Sequence, residues 1–162
     1  MEAVTFGPLL ESIEGGVFLH CPSLEQITIP LKNDLFPDDC TFQMCGNLRQ
    51  VFLVEEGVLE DTVAALLLED YRDDMIEVID SINRSLPNAP DGDVLNNTGE
   101  KTIVIRRWIS SVLSKVIYYK AQHRRLLDVV VTPTLQHVLA NDIVLDNILS
   151  FLVLPCHTFH GE

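Results

Sequence analysis

The chain has 162 residues, 47% of them hydrophobic, and a formal net charge of −13 at pH 7. That length and apolar share suit one domain with a sizeable core, and the acidity argues against nucleic acid, whose phosphates call for a basic surface. No apolar run reaches the roughly 18–20 residues that span a bilayer, the longest, from Ile143 to Leu154, being broken by Asp146, Asn147 and Ser150.

No cationic start leads into an apolar run with a small-residue cleavage site, so an intracellular, cytoplasmic location is expected. The four cysteines are then expected to stay reduced. The first organised feature in chain order is a repeat. Phe18, Cys21, Leu24, Gln26, Ile27 and Ile29 recur 24 residues later as Phe42, Cys45, Leu48, Gln50, Val51 and Leu53. The alternation at Ile27/Ile29 and at Val51/Leu53 has the period of a strand. Ala3 to Phe6 aligns with Gln26 to Ile29 as a third strand copy. Cys21 and Cys45 share one repeat position and are expected to be buried rungs, since cysteine packs as a small hydrophobe. A fixed period between 20 and 29 residues predicts a stack of parallel strands, one rung per repeat. The spacing predicts strands near residues 3–6, 26–29 and 50–53, with Leu24, Ile27, Leu48 and Val51 in the core.

These copies resemble the BspA-like (Treponema-type) leucine-rich repeat, whose unit runs Phe-x-x-Cys-x-x-Leu before an alternating strand. The resemblance covers about 50 residues and implies a curved sheet whose strand face binds proteins or other macromolecules. Carried onto this chain it gives a surface with Gln26, Thr28, Gln50 and Phe52 as its outward members. Solenoids need about three repeats and a cap, and this chain opens directly on a strand copy, so it reads as the tail of a longer repeat protein or a shortened relative of one.

After Gly57 the period changes. Val63, Leu67, Tyr71, Met75, Val78, Ile82 and Leu86 recur at steps of three or four, the stripe of an amphipathic helix, and Pro87 and Pro90 end it. Residues 87–99 are a polar loop. Ile105, Ile109, Val112, Val116, Tyr119, His123, Leu126 and Val130 form a second stripe at heptad spacing, closing before Pro133. Residues 58–131 are expected to form a long antiparallel helical hairpin with a coiled-coil seam, Trp108 and Ile109 lying in its interface. Charge favours the pairing: residues 55–93 hold 12 acids against 2 bases, and residues 100–128 hold 7 bases against 2 acids. The rival reading of Arg106, Arg107, Lys115, Lys120, Arg124 and Arg125 is an anion patch, which the acidic neighbour disfavours.

The helical region is similar to the tail of uncharacterised leucine-rich-repeat proteins of diatom-type algae. The matching residues are Met75, Ile79, Ile82, Asn83, Leu86, Pro87 and Pro90, then Glu100, Lys101, Thr102, Ile105, Trp108, Ser111, Val112, Tyr119, Lys120, Ala121, His123, Leu126 and Leu127. Tyr71 stands where that pattern has tryptophan. This resemblance implies architecture and no catalysis.

Residues 132–162 are expected to form two short helices, over 134–140 and 142–154, and a tail. The second faintly resembles the opening helices of an F-box, and an apolar helix there also suits packing or self-association. Cys156, His157 and His160 are potential ligands whose spacing fits no standard zinc site. Asp91, Asp93, Asn96, Asn97 and Glu100 do not match a calcium loop. His123 lies on an apolar stripe and reads as an interface histidine. Asn83 and Asn96 open glycosylation sequons that only a secreted chain would use.

The fold class expected is therefore α+β: a short leucine-rich-repeat parallel β-solenoid over residues 1–57, the hairpin over 58–131, and short C-terminal helices over 132–162. The function expected is a non-enzymatic protein-interaction or scaffold module, with no catalytic residue, no metal and no cofactor. Its partner is an unidentified protein, with self-association through the helices as a further expectation and neither nucleic acid nor membrane as a ligand. The alternative is a ubiquitin-ligase adaptor docking through the F-box-like helices, and a third reading is a hydrolase or metal protein using the histidines.

Overall fold

The 24-residue spacing reappears as strand register. In the computed structural model, which describes residues 2–54, 63, 66, 68–90 and 100–133, three strands form a parallel sheet in the order β1-β2-β3. They are β1 (Glu2–Thr5), β2 (Leu24–Ile29) and β3 (Gln50–Leu53). Gln26 pairs with Gln50 and Ile27 with Val51, the offset of the sequence repeat. Ala3 pairs with Gln26 and Thr5 with Thr28, the alignment drawn for the first copy. The connections, residues 6–23 and 30–49, are turns and loops without a helix.

The copies match outside the strands too. The N–H groups of Leu24 and Leu48 donate to the carbonyls of Cys21 and Cys45, the same turn 24 residues apart. His20 (φ 58°) and Met44 (φ 61°), equivalent by the repeat, both take the left-handed conformation that side chains disfavour. Backbone bonds join successive copies, from the Ile13 N–H to the Leu35 carbonyl, from His20 to Gln43 and from Arg49 to Glu25. The Asn47 amide donates to the Pro22 carbonyl (2.6 Å). The equivalent rings of Phe18 and Phe42 stack with centroids 5.4 Å apart, and Phe6 and Phe36 meet them edge-on at 6.1 and 5.3 Å. Leu24, Ile27, Ile29, Leu48 and Val51 are buried as the period predicts, each contributing about 1.5–3 kcal/mol.

One rung departs from expectation. Cys45 is buried, and its thiol donates to the Phe18 carbonyl of the preceding copy (2.8 Å). Cys21 is only half-buried, its thiol turned to the Leu19 carbonyl of its own copy (4.0 Å). Cys21 and Cys40 are free thiols.

The helices begin and end where local chemistry dictates. Helix α1 is Glu69–Ser85 and α2 is Glu100–Leu126. The apolar stripe predicted one helix from about residue 60, and this is corrected: Val63 is helical, but Leu66 and Leu68 lie outside any helix and α1 starts at Glu69. The Leu66 carbonyl is taken by the Arg72 guanidinium (2.6 Å), so it does not accept an intrahelical bond. The first such bond runs from the Arg72 N–H to the Leu68 carbonyl, and Glu69 and Asp70 favour the helix start electrostatically. After Ser85 a single 3₁₀ turn, Leu86–Asn88, carries Pro87 where its missing N–H costs nothing. Beyond α2 the chain widens into a π-turn, Leu127–Val131. That extra residue moves the stripe: Leu127 is buried, whereas Leu126 is half-buried and Val130 exposed. The expected helices over 134–140 and 142–154, the ligand trio Cys156, His157 and His160 and most of the polar loop lie outside the described residues.

By internal contacts the chain groups into two compact units, Met1–Gly57 with Ile76–Ser114, and Val58–Met75 with Lys115–Glu162. In the first, the start of α2 is fastened to the second repeat. The Thr102 hydroxyl accepts from the Phe42 N–H (3.0 Å). The Lys101 ammonium, on a side chain only 2% exposed, donates to the carbonyls of Cys45 (2.8 Å) and Gly46 (2.9 Å). Arg106 donates to the Phe36 carbonyl and pairs with Asp39. Trp108 and Ile109 are buried as expected, and the Trp108 indole donates to the Val78 carbonyl (3.0 Å). In the second unit the Asp74 carboxylate accepts from both Lys115 and Tyr119, and the Tyr119 ring stacks on Tyr71 at 4.6 Å.

Candidate functional site

The strand register sets one face of the sheet in two rows. Ala3, Gln26 and Gln50 are paired across the strands, as are Thr5, Thr28 and Phe52. Side chains alternate along a strand, so both rows face away from the core residues Ile27, Ile29 and Val51. The four residues singled out from the sequence are therefore on one face. Gln26 and Thr28 are half-buried, Gln50 is exposed, and Phe52 keeps 40% of its surface open.

Helix α1 forms a wall beside this face. The outer edge of β3 needs a partner for the Val51 N–H, and the Asn83 side-chain carbonyl accepts it (2.8 Å). That bond holds the last turns of α1 against the edge of the sheet. Between them lies an open groove of about 630 Å³ lined by Thr5, Gln26, Thr28, Val51, Phe52, Leu53, Val54, Ile79, Asp80 and Asn83. The volume is that of a ligand cleft. Gln50, at the far end of β3, is not among the lining residues. Sequence reading missed Asp80 and Asn83 as groove residues. The signal available was Asn83 itself, a polar residue next to the core residue Ile82 on a helix that follows the last strand.

Asp80 is the one charged residue among those lining the groove, and no cation partners it among the described residues. The hydroxyls of Thr5 and Thr28, the Gln26 amide and the Asn83 amide nitrogen likewise have no protein partner among the described residues. The lining thus offers donors, acceptors, one carboxylate and one open aromatic ring. It brings together no acid, base and nucleophile in a catalytic arrangement.

Of the cations weighed as an anion patch, Arg107, Arg124 and Arg125 are exposed. Arg106 is held by Phe36 and Asp39, and Lys115 by Asp74. His123 is buried. No group of three or more His, Cys, Asp or Glu suited to a metal occurs among the described residues, and no helix among them is long and apolar enough to cross a membrane.

The Asp74 cluster of the second unit has a readable pH signature. The Lys115 hydrogen bond, followed by that of Tyr119, holds the Asp74 carboxyl below the usual carboxylate range. The same bond raises the Lys115 ammonium, and burial, then Asp74, raises the Tyr119 phenol. A depressed carboxyl stabilises the fold above its unfolded pKa, and that stability is lost as pH falls through the folded value. The raised lysine and phenol contribute fully below their unfolded pKa values and lose their contribution as pH rises through the folded ones. The cluster is therefore intact from about pH 5 to about pH 9. Its charged groups are more than a third exposed, so Asp74→Asn is expected to cost only about 1 kcal/mol or less. Urea unfolding from pH 7 to pH 3 checks the sign: wild type converges on the variant in acid. Parallel curves would show that the pair contributes nothing.

No protein-family model matches the chain, and no curated protein or solved structure is significantly similar to it.

Proposed function

We propose that this chain is a non-enzymatic interaction module, a short solenoid of BspA-like leucine-rich repeats whose strand face binds a protein partner. In this reading the helices form an antiparallel hairpin that closes the solenoid at β3. Support for the hairpin comes from contacts that run in opposite senses along the two helices, Tyr71 with Tyr119, Asp74 with Lys115 and Val78 with Trp108. Support for the solenoid comes from strand pairing at the sequence period and from the stacked, repeat-equivalent phenylalanines.

The single observation that carries the binding role is the groove. Gln26, Thr28 and Phe52, outward residues of successive copies, line one cleft together with Asp80 and Asn83 of α1. Parallel rungs offer side chains at a regular spacing of about 4.8 Å, and an open aromatic is the residue type most often found as a binding anchor. A partner screen with wild type and with the double variant Phe52→Ala, Gln50→Ala, both checked for folding by circular dichroism, tests the reading. The affinity of a recovered partner is expected to fall at least tenfold in the double variant. An unchanged affinity moves the binding surface to the helices.

A further inference from the structure

We infer that the groove between the strand face and α1 accepts an extended peptide segment through an arginine side chain, its guanidinium seated against the Phe52 ring and the Asp80 carboxylate. The inference rests on the strand face being the binding surface, and it names the chemistry of the partner.

Charge points first to a cation. Asp80 is the charged member of the lining and has no cationic partner among the described residues. The chain as a whole carries −13, so its field attracts a basic segment and repels an acidic one or a second copy. Phe52 adds a ring with 40% of the residue's surface open, and cations are drawn to such faces. Arginine fits the pair better than lysine. Its guanidinium is planar and weakly hydrated, stacks on a ring and forks onto a carboxylate at the same time. The rest of the lining suits a peptide backbone. Thr5, Thr28, Gln26 and the Asn83 amide nitrogen supply unspent donors and acceptors along the rungs, and an extended chain leaves its backbone N–H and C=O groups open to such partners.

The test uses three blocked tripeptides, acetyl-threonyl-arginyl-threonine amide and its citrulline and glutamate analogues, titrated into the nitrogen-15-labelled full chain. Citrulline keeps the shape of arginine and removes the charge. The backbone amides of Gln26, Thr28, Phe52 and Asn83 are followed. The arginine peptide is expected to shift these amides and saturate, the citrulline peptide to bind about fivefold more weakly, and the glutamate peptide not to bind. Asp80→Asn should bring the arginine peptide down to the citrulline level. Glu77→Gln, the same charge change on the same helix outside the groove lining, should leave it unchanged. Phe52→Ala should weaken both. Equal binding of the arginine and citrulline peptides at these amides, or equal effects of Asp80→Asn and Glu77→Gln, overturns the cation preference and leaves the strand face as a binding surface. Shifts confined to other amides overturn both the preference and that surface, and no shift with any of the three overturns the arginine inference while the partner screen still decides the face.

Discussion

Trp108→Ala is expected to lower the stability of the folded chain by about 3–5 kcal/mol, the range for truncating a buried tryptophan. Two terms add. The indole is 6% exposed, so its removal leaves a cavity that the surrounding side chains fill only in part. Its N–H also donates to the Val78 carbonyl in α1 (3.0 Å), a bond worth about 1 kcal/mol. Trp108→Phe separates the two, keeping most of the apolar volume while losing the donor, and should cost well under half as much. Urea unfolding followed by circular dichroism reads both variants. The expected fall in melting temperature for Trp108→Ala is about 10 °C for a chain of this size. A loss below about 1 kcal/mol would show that the stripe of α2 faces elsewhere.

How far the fold was legible follows from which physical rules leave a trace in sequence. Strand register did, because each rung must bury the same positions: Phe42, Cys45, Leu48 and Val51 repeat Phe18, Cys21, Leu24 and Ile27, and the pairs Leu24/Leu48 and Ile27/Val51 are buried alike. Phe18 and Cys21 are half-buried where Phe42 and Cys45 are buried, and the Cys45 thiol bonds the Phe18 carbonyl of the copy before it, a property of stacking and not of residue type. Helix faces were legible through Met75, Ile82, Ile105, Val112 and Val116, all buried. Helix ends were not. The start of α1 is set by the Arg72 side chain capturing the Leu66 carbonyl, and an apolar period carries no record of that. The π-turn at Leu127–Val131 likewise exchanges Leu127 for Val130 in the core without altering the heptad pattern that precedes it.

The candidate site was half legible. Alternation along the strands put Gln26, Thr28, Gln50 and Phe52 on one face, but the groove depends on what α1 brings to the edge of β3. Asn83 satisfies the Val51 N–H because an edge strand leaves such donors open, and this places Asp80 in the lining. Periodicity marks Ile82 as core and says nothing of its polar neighbour.

The start of α2 makes the same point with a larger energy. Lys101 is one of the seven bases of residues 100–128, read from the sequence only as favouring pairing with the acidic helix, yet its side chain is buried and its ammonium donates to the carbonyls of Cys45 and Gly46 at 2.8 and 2.9 Å. Those carbonyls end the turn that leads into β3, so the lysine ties the helix to the repeat beside the bond from the Phe42 N–H to Thr102. Lys101→Met keeps the stem and removes the charge. Hydrogen bonds to a charged donor are worth about 1.5–3 kcal/mol each. The recovered desolvation of the ammonium offsets part of that, and the exposed Gly46 can turn to water. The net loss expected is about 2–4 kcal/mol in urea unfolding. Lys101→Arg should not restore it, because a planar fork cannot place its donors on both carbonyls in the space of an ammonium. Arg107→Met, at an exposed position on the same helix, should change stability by less than about 0.5 kcal/mol. A loss for Lys101→Met no larger than that of Arg107→Met would mean that the two carbonyls are satisfied without the lysine and that α2 is held to the repeats by its apolar stripe with Thr102 and Arg106.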